Sequence, residues 1–494
     1  MSGTSEVSWR TEPAARASVI VDAENYFHFA RLAMLKARKR IMLIGWDFDA
    51  RIRLDYGDNS DQAPTHVGDF IYWLVKRSPE LEICLLRWDV GALKTIFRGT
   101  TIFTLLKWML HKRIHTKLDG FHPTGGSHHQ KIIVIDDCVA FCGGIDMTGG
   151  RWDTRRHADD EPHRVFPTGA PCAPWHDATT ALEGPVAAAL GELARERWQR
   201  AGGHELAPVT GAFDCWPSEL EVDFTDIDVS IARTLPDMPG RPEVREVEAL
   251  FVEEIATAKE SIYAESQYFA SRKIAEAIAK RLPEPDCPEI VLVNPLTAQG
   301  WLEPVAMDTA RARLVTALRH LDVHGRLKLY HPYTAGGLPI YVHAKVMIVD
   351  GRSIRIGSAN MNNRSLGLDS ECDVLIEIDD ADRAEAARVR AIRDDLIAEH
   401  LGLPSEQVAA EIEARGSLIE TIEALRGEGK TLRPYEVPEL GEVEKWLADN
   451  KVLDPESPSE MFESVSKRRR LISRIRQLRH REGWGRKPRA LRRP

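Results

Sequence analysis

Hydrophobic positions along this chain switch between two periods. After a loose start, residues 22–39 place Tyr26, Phe29, Ala30, Ala33 and Met34 at helical spacing on one face, which predicts a helix. Residues 41–46 (Ile-Met-Leu-Ile-Gly-Trp) form a nearly continuous apolar run, the pattern of a strand buried on both faces. Residues 67–77 predict a second helix and 81–86 a second strand. The basic, aromatic stretch 94–117 predicts a helix that either packs on the sheet or lines a lipid-facing rim. A polar loop follows at 149–160, then a helix over 185–200 and a Pro- and acid-rich bridge over 207–242.

The order then repeats: helix 244–258, strand 261–266, helix 271–281, strand 289–293, helix 308–321 and strand 327–330. Each series ends in a β-branched run, 132–135 or 346–349, carrying the same pattern. The first reads His129-Gln130-Lys131 with Asp136 behind it, and the second His343-Ala344-Lys345 with Asp350. A similar turn follows each run, Gly143-Gly144-Ile145-Asp146 and Gly357-Ser358-Ala359-Asn360. Alternating elements with an internal duplication predict an α/β protein of two similar α-β-α sandwich units sharing one active site. A charged amphipathic helix over 381–400 leads into a polar, helical extension. The expected division is a first unit at 1–206, a linker at 207–242, a second unit at 243–402, a helical extension at 403–466 and a basic tail at 467–494.

Composition narrows the class. The 494 residues are 43% hydrophobic and 29% charged, an ordinary globular balance in a chain too long for a single core. No run approaches the ~20 apolar residues a bilayer span needs, and residues 1–16 lack the apolar centre of a signal peptide. The expected location is cytoplasmic, with peripheral membrane association or export by another route left open. Seven scattered cysteines fit a reducing compartment, and Cys138 and Cys142 have no second pair at zinc spacing. The net charge of −9 is uneven: residues 467–493 hold thirteen Lys/Arg against Glu482 alone, which leaves −21 on everything before them. Such a body repels polyanions and argues against nucleic acid, while the tail suits an anionic lipid surface or a solvated end.

The duplicated residues suit attack on a phosphodiester. Alternate side chains of a strand share a face, so His129 projects with Lys131 and His343 with Lys345, while Asp136 and Asp350 have the opposite parity and are expected to support the turns. Lys131, Lys345 and Asn360 would neutralise the anionic oxygens in a preorganised site. One neutral imidazole would attack phosphorus and the other, protonated, would donate to the leaving oxygen, through a phosphohistidine later cleaved by water or an alcohol. The lysines supply the positive charge, so the scheme needs no metal and no cofactor. Each imidazole needs an acceptor on its other nitrogen; Asp153 and Glu371 are the candidates, and either could instead be a solvated loop carboxylate.

Two such motifs, each ending in this turn, resemble the phospholipase D superfamily over roughly residues 21–401. His343, Lys345, Asp350, Gly357, Ser358, Asn360, Arg364, Ser365 and Glu371 fall on its pattern. The first copy, with Gly144 and Asp146, is similar to that of eukaryotic-type phospholipases D, as are Gly149-Gly150-Arg151-Trp152-Asp153-Thr154, Pro174-Trp175-His176-Asp177 and Glu265-Ser266-Gln267-Tyr268-Phe269. The resemblance implies hydrolysis of a phosphatidylcholine-like lipid to phosphatidate and head group, with transphosphatidylation. It also implies His129 as nucleophile and His343 as general acid, roles the residues alone leave open. A cardiolipin-type synthase and a nuclease are the alternatives. One chain suffices for one site, and the basic tail is the expected membrane contact.

Overall fold

Apolar runs alternating with amphipathic stretches bury both faces of a sheet beneath helices. The computed structural model describes residues 7–57, 62–89, 104, 107–108, 110–299, 304–379 and 382–438. The first half runs β1 (Arg10–Val21), α1 (Ala23–Lys36), β2 (Arg40–Gly45), α2 (Val67–Arg77), β3 (Glu82–Trp88), β4 (Ile114–Asp119), β5 (Ile132–Ile135), β6 (Val139–Gly143), β7 (Trp175–His176), β8 (Ala178–Glu183) and α3 (Pro185–Arg200). The second runs β9 (Phe224–Leu235), β10 (Val244–Arg245), α4 (Glu246–Thr257), β11 (Ser261–Glu265), α5 (Arg272–Arg281), β12 (Glu289–Val293), α6 (Thr309–Leu321), β13 (Leu327–Tyr333), β14 (Tyr341–Val342), β15 (Val346–Val349), β16 (Ser353–Gly357), α7 (Asn363–Gly367), β17 (Glu371–Glu377) and α8 (Arg383–Leu401). Helices α9 (Ser405–Arg415) and α10 (Leu418–Leu425) and strand β18 (Thr431–Pro434) follow.

One mixed sheet runs β4-β3-β2-β5-β6-β8-β1-β9-β17-β16-β15-β11-β12-β13-β18, with β10 on β9. Outward from the antiparallel β1–β9 pair, each half repeats the other strand for strand as far as β4 and β13, and β18 adds one more edge strand to the second. Alternation along β2 and β5 divides the core: Ile41, Leu43, Ile133 and Ile135 face α1 and α2, whereas Met42, Ile44, Ile132 and Val134 join α3. That second cluster continues through Val346, Ile348, Ile354 and Ile356 to α8, so one core spans both halves. Burying each such Ile or Val contributes ~1.5–3 kcal/mol, which anchors the motif strands far more firmly than their polar ends could.

Four expectations change. The loose start holds β1, and the expected linker 207–242 holds β9, the two strands at the centre of the sheet. Pro13 and the acids of β9 hide both from hydropathy. The extension is not purely helical, because β18 pairs antiparallel with β13 at the sheet edge. The helix expected over 94–117 lies largely outside the described residues, and its end is strand β4, parallel to β3. Residues 439–494, including the basic tail, lie outside the described residues. No helix among the described residues is long and apolar enough to cross a membrane.

Candidate active site

Each motif begins by pairing with the opposite half. In front of the first, His128 bridges Ser370 and the His129 N–H donates to Ser370 O at 3.0 Å. In front of the second, β14 pairs parallel with β7 and the His343 N–H donates to His176 O at 2.7 Å. Chain order then places a carboxylate beside each ring, since Glu371 follows Ser370 and Asp177 follows His176. His129 Nδ1 lies 3.0 Å from Glu371 Oε2, and His343 Nδ1 lies 2.6 Å from Asp177 Oδ2. With Nδ1 engaged in both rings, Nε2 is the free nitrogen of each.

The two lysines stand in matching places. Lys131 Nζ donates to His129 O at 2.7 Å, and Lys345 Nζ donates to His343 O. Their neighbours differ. Lys131 pairs with Asp146 Oδ2 at 3.2 Å, and Asp146 Oδ1 accepts the Trp46 N–H at 2.9 Å. The counterpart of Asp146 is Asn360, a neutral amide that donates to Gln267 Oε1 at 3.3 Å. Gln267 in turn donates to the hydroxyls of Tyr268 and Tyr341, both at 2.9 Å. Tyr341 stacks on Trp175 with centroids 4.7 Å apart, and the Arg151 guanidinium lies 4.1 Å from the Trp175 ring centroid.

Glu371 also accepts hydrogen bonds from Ser358 Oγ at 2.5 Å and Ser365 Oγ at 2.7 Å. Burial pushes its carboxyl up to about 8 against the pull of Lys131. Burial, then the Lys131 and Lys345 charges, holds the His129 imidazolium well below its usual range. Burial and the charges of Lys345, Arg151 and Lys131 do the same to His343, and burial brings Lys345 down to about 7 against Asp177. The imidazoles and ammoniums of the two copies thus feel one another, which makes this one site and not two. His129 is the more accessible ring, its side chain 16% exposed against 6% for His343.

The structure brings together His129, His343, Lys131, Lys345, Asp146, Asn360, Ser358 and Glu371. Asp136 and Asp350 lie at the far ends of their strands. Asp136 accepts the N–H groups of Arg38, Lys39 and Arg40 at 2.6–2.8 Å, and Asp350 those of Lys259, Glu260 and Ser261 at 2.7–2.9 Å. They tie the motif strands to the turns before β2 and β11, not to the turns that follow them. Asp153 does not meet a motif histidine. Its carboxylate is taken by His157 Nδ1 at 3.0 Å, the Trp175 N–H at 2.9 Å and Arg164. The acceptor for His343 is Asp177, which sequence spacing missed because a long loop precedes β7 in the first half alone. Its signal is topological: Asp177 stands immediately before β8 as Glu371 stands at the head of β17.

Comparison with known proteins agrees with this geometry. A family model described as phospholipase D matches residues 33–275, and one described as cardiolipin synthase, PLD-like domain, matches residues 251–392. Phospholipase D alpha 2 of Arabidopsis thaliana is 24% identical over 481 residues, covering 68% of this chain and 58% of that protein. Phospholipase D alpha 1 of the same plant is 25% identical over 518 residues, covering 76% and 63%. The chain therefore spans about three fifths of the length of these relatives. Phosphatidylserine synthase of Haemophilus influenzae shares the fold, with a TM-score of 0.53 at 12% identity over 84% of this chain and 96% of that one.

Proposed function

This chain belongs to the phospholipase D superfamily, and from that premise we propose that it hydrolyses the distal phosphodiester bond of a phosphatidylcholine-like glycerophospholipid, yielding phosphatidate and the free head group, and transfers the phosphatidyl group to alcohols. The observation that carries the reading is the crossed pair of imidazoles, each oriented by a carboxylate of the opposite half. His129 Nε2 attacks phosphorus while the P–O bond to the head group breaks, and His343 Nε2, protonated once the negative charge of the bound phosphodiester offsets the lysine and arginine charges around it, delivers that proton to the departing oxygen. The N–P bond of the phosphohistidine then breaks as water or an alcohol attacks, its proton passing to His343. Lys131, Lys345 and Asn360 bind the non-bridging oxygens, and the steps need no metal.

A cationic head group has aromatic faces to meet. Half-buried Trp46 stacks on Trp88 with centroids 5.8 Å apart, and the Trp46 N–H is bonded to Asp146 beside Lys131. The partner is a phospholipid surface, reached through the cationic tail 467–494. The match over 251–392 favours a second reading, a cardiolipin-type synthase whose acceptor is a lipid alcohol.

The test offers short-chain phosphatidylcholine with and without ethanol, phosphatidylglycerol alone, and single-stranded DNA. Choline with phosphatidate, and phosphatidylethanol once ethanol is present, are expected. Lipid-to-lipid transfer without hydrolysis selects the synthase, and DNA cleavage without lipid turnover overturns both readings.

A further inference from the structure

One cation beside the reaction centre has no partner of its own. Arg151 lies in the loop between β6 and β7, and its chain neighbours fix its backbone. Gly150 before it is left-handed at φ +79°, and Trp152 and Asp153 after it are buried. Trp152 packs on Tyr56 with centroids 4.8 Å apart, and Asp153 takes the Trp175 backbone N–H at 2.9 Å. The Arg151 guanidinium lies over the Trp175 ring, 4.1 Å from its centroid. That ring is 5.0 Å from the His343 ring and stacks on Tyr341. Tyr341 Oη accepts from Gln267, and Gln267 Oε1 accepts from Asn360, so one wall runs from Arg151 to Asn360.

The guanidinium makes no hydrogen bond and no ion pair among the described residues, and its Nε is buried. The indole N–H of Trp175, a side chain in a residue only 3% exposed, is likewise without an acceptor. Buried donors are normally paired, and other buried arginines of this chain are: Arg164 with Asp153, Arg197 with Asp119 and Arg355 with Asp373. The turn of the second copy shows the same contrast, since Arg364 bonds Asp369 at 2.7 and 3.0 Å. Two donors without acceptors on one wall, one of them cationic, make a place for an oxyanion.

We propose that Arg151, held against Trp175, binds a non-bridging oxygen of the substrate phosphate as a third cation beside Lys131 and Lys345, a role that rests on the phosphodiester chemistry proposed above. A guanidinium presents a fork of donors that fits phosphate, and it keeps its charge at any working pH. The site needs such a charge. Lys131 is already paired with Asp146, and burial brings Lys345 down to about 7, so at neutral pH the two ammoniums supply less than two free charges. Arg151 also acts on His343: only burial and Lys345 do more to hold that imidazolium down. A phosphate oxygen on Arg151 offsets this repulsion, so the acid gains its proton as substrate arrives. The same charge repels a choline-like head group, which favours the phosphate as occupant.

Inorganic phosphate, titrated by calorimetry into the full chain, probes the wall without turnover. Arg151→Gln is expected to weaken its binding roughly 10- to 100-fold, and Arg151→Lys by less, because the charge stays and the fork is lost. The melting temperature of Arg151→Gln should stay within about 2 °C of wild type, whereas loss of an arginine bonded within the chain would lower it further. Arg151→Ala should lower kcat/KM for short-chain phosphatidylcholine at least about tenfold, and added guanidinium ion should restore part of it. On the wild-type chain, phenylglyoxal should modify Arg151 and phosphate should shield it, a measurement that decides the matter even if a variant does not fold. Phosphate affinity unchanged in Arg151→Gln, or equal modification with and without phosphate, overturns the assignment. So does a variant with wild-type phosphate affinity and an altered preference among head groups, which would give the arginine to the head group. A wild type that binds phosphate through Arg151 yet turns over no phosphatidylcholine overturns the lipid reading and leaves the phosphate contact standing.

Discussion

The two halves build the same site from the same strand order, yet their copies differ at three connected places. In the second copy Ser358 donates to Glu371, which also holds His129 and Ser365. In the first copy Gly144 stands where Ser358 does, and Asp177 where Glu371 does. Asp177 is a methylene shorter and reaches His343 from closer in: a Cβ on Gly144 would come within 2.2 Å of Asp177 Oδ1. Gly144 is thus the room that Asp177 occupies, not a weakened form of the motif. The third difference is charge. Asp146 partners Lys131, whereas the second copy has neutral Asn360 in that place, and burial brings the Lys345 ammonium down to about 7 against the pull of Asp177. A duplicated fold can hold one reaction centre while its copies diverge into unequal partners.

The largest effect expected from breaking this comparison is at the histidines. His129→Asn and His343→Asn should each lower turnover of phosphatidylcholine by about 10⁴-fold or more, an acid–base or nucleophilic role each. A phosphatidyl ester of p-nitrophenol separates them, because its leaving group needs no proton. His343→Asn should recover at least about tenfold on that ester and His129→Asn should not. The opposite recovery would reverse the assignment of nucleophile and acid.

Next comes the carboxyl that holds His129. The folded-state value of Glu371, about 8, lies above its ordinary 4.5, so its protonated form favours the folded chain. That contribution is complete below about 4.5 and is lost as pH rises through about 8. Between pH 5 and 8, substrate-free wild type should therefore lose on the order of 2–4 kcal/mol more unfolding free energy than Glu371→Gln. Equal losses by denaturant titration would show that the carboxyl does not keep its proton.

The smallest contrast compares equivalent positions. Gly144→Ala drives a methyl into Asp177 and should cost about 1–3 kcal/mol of stability. Ser358→Ala keeps its Cβ and removes one donor from Glu371, for about 1 kcal/mol. Equal costs in thermal unfolding would mean that the two turns differ by chance and not through their carboxylates.

Much of this was legible in the chain itself, for a physical reason. Helical and strand periods are local, so α1, β2, α2, β3 and the motif strands follow from neighbouring residues, and the parity of a strand places His129 with Lys131 and His343 with Lys345. The duplication was equally plain, and so was Glu371, which falls on the second motif's pattern. Asp153 looked like its counterpart by order along the chain, but hydrogen bonding is decided by proximity in space. Only the pairing of β7 with β14 carries Asp177 to His343. The central strands β1 and β9 were hidden because Pro13 and the acids around Asp226 and Asp228 carry no apolar period, and the sheet that buries their other residues is assembled from distant parts of the chain. Arg151, Trp175 and His343 carry no spacing that joins them. Their meeting was decided by the tertiary structure alone, where burial removes water and leaves a donor without an acceptor in the fold to meet a ligand instead.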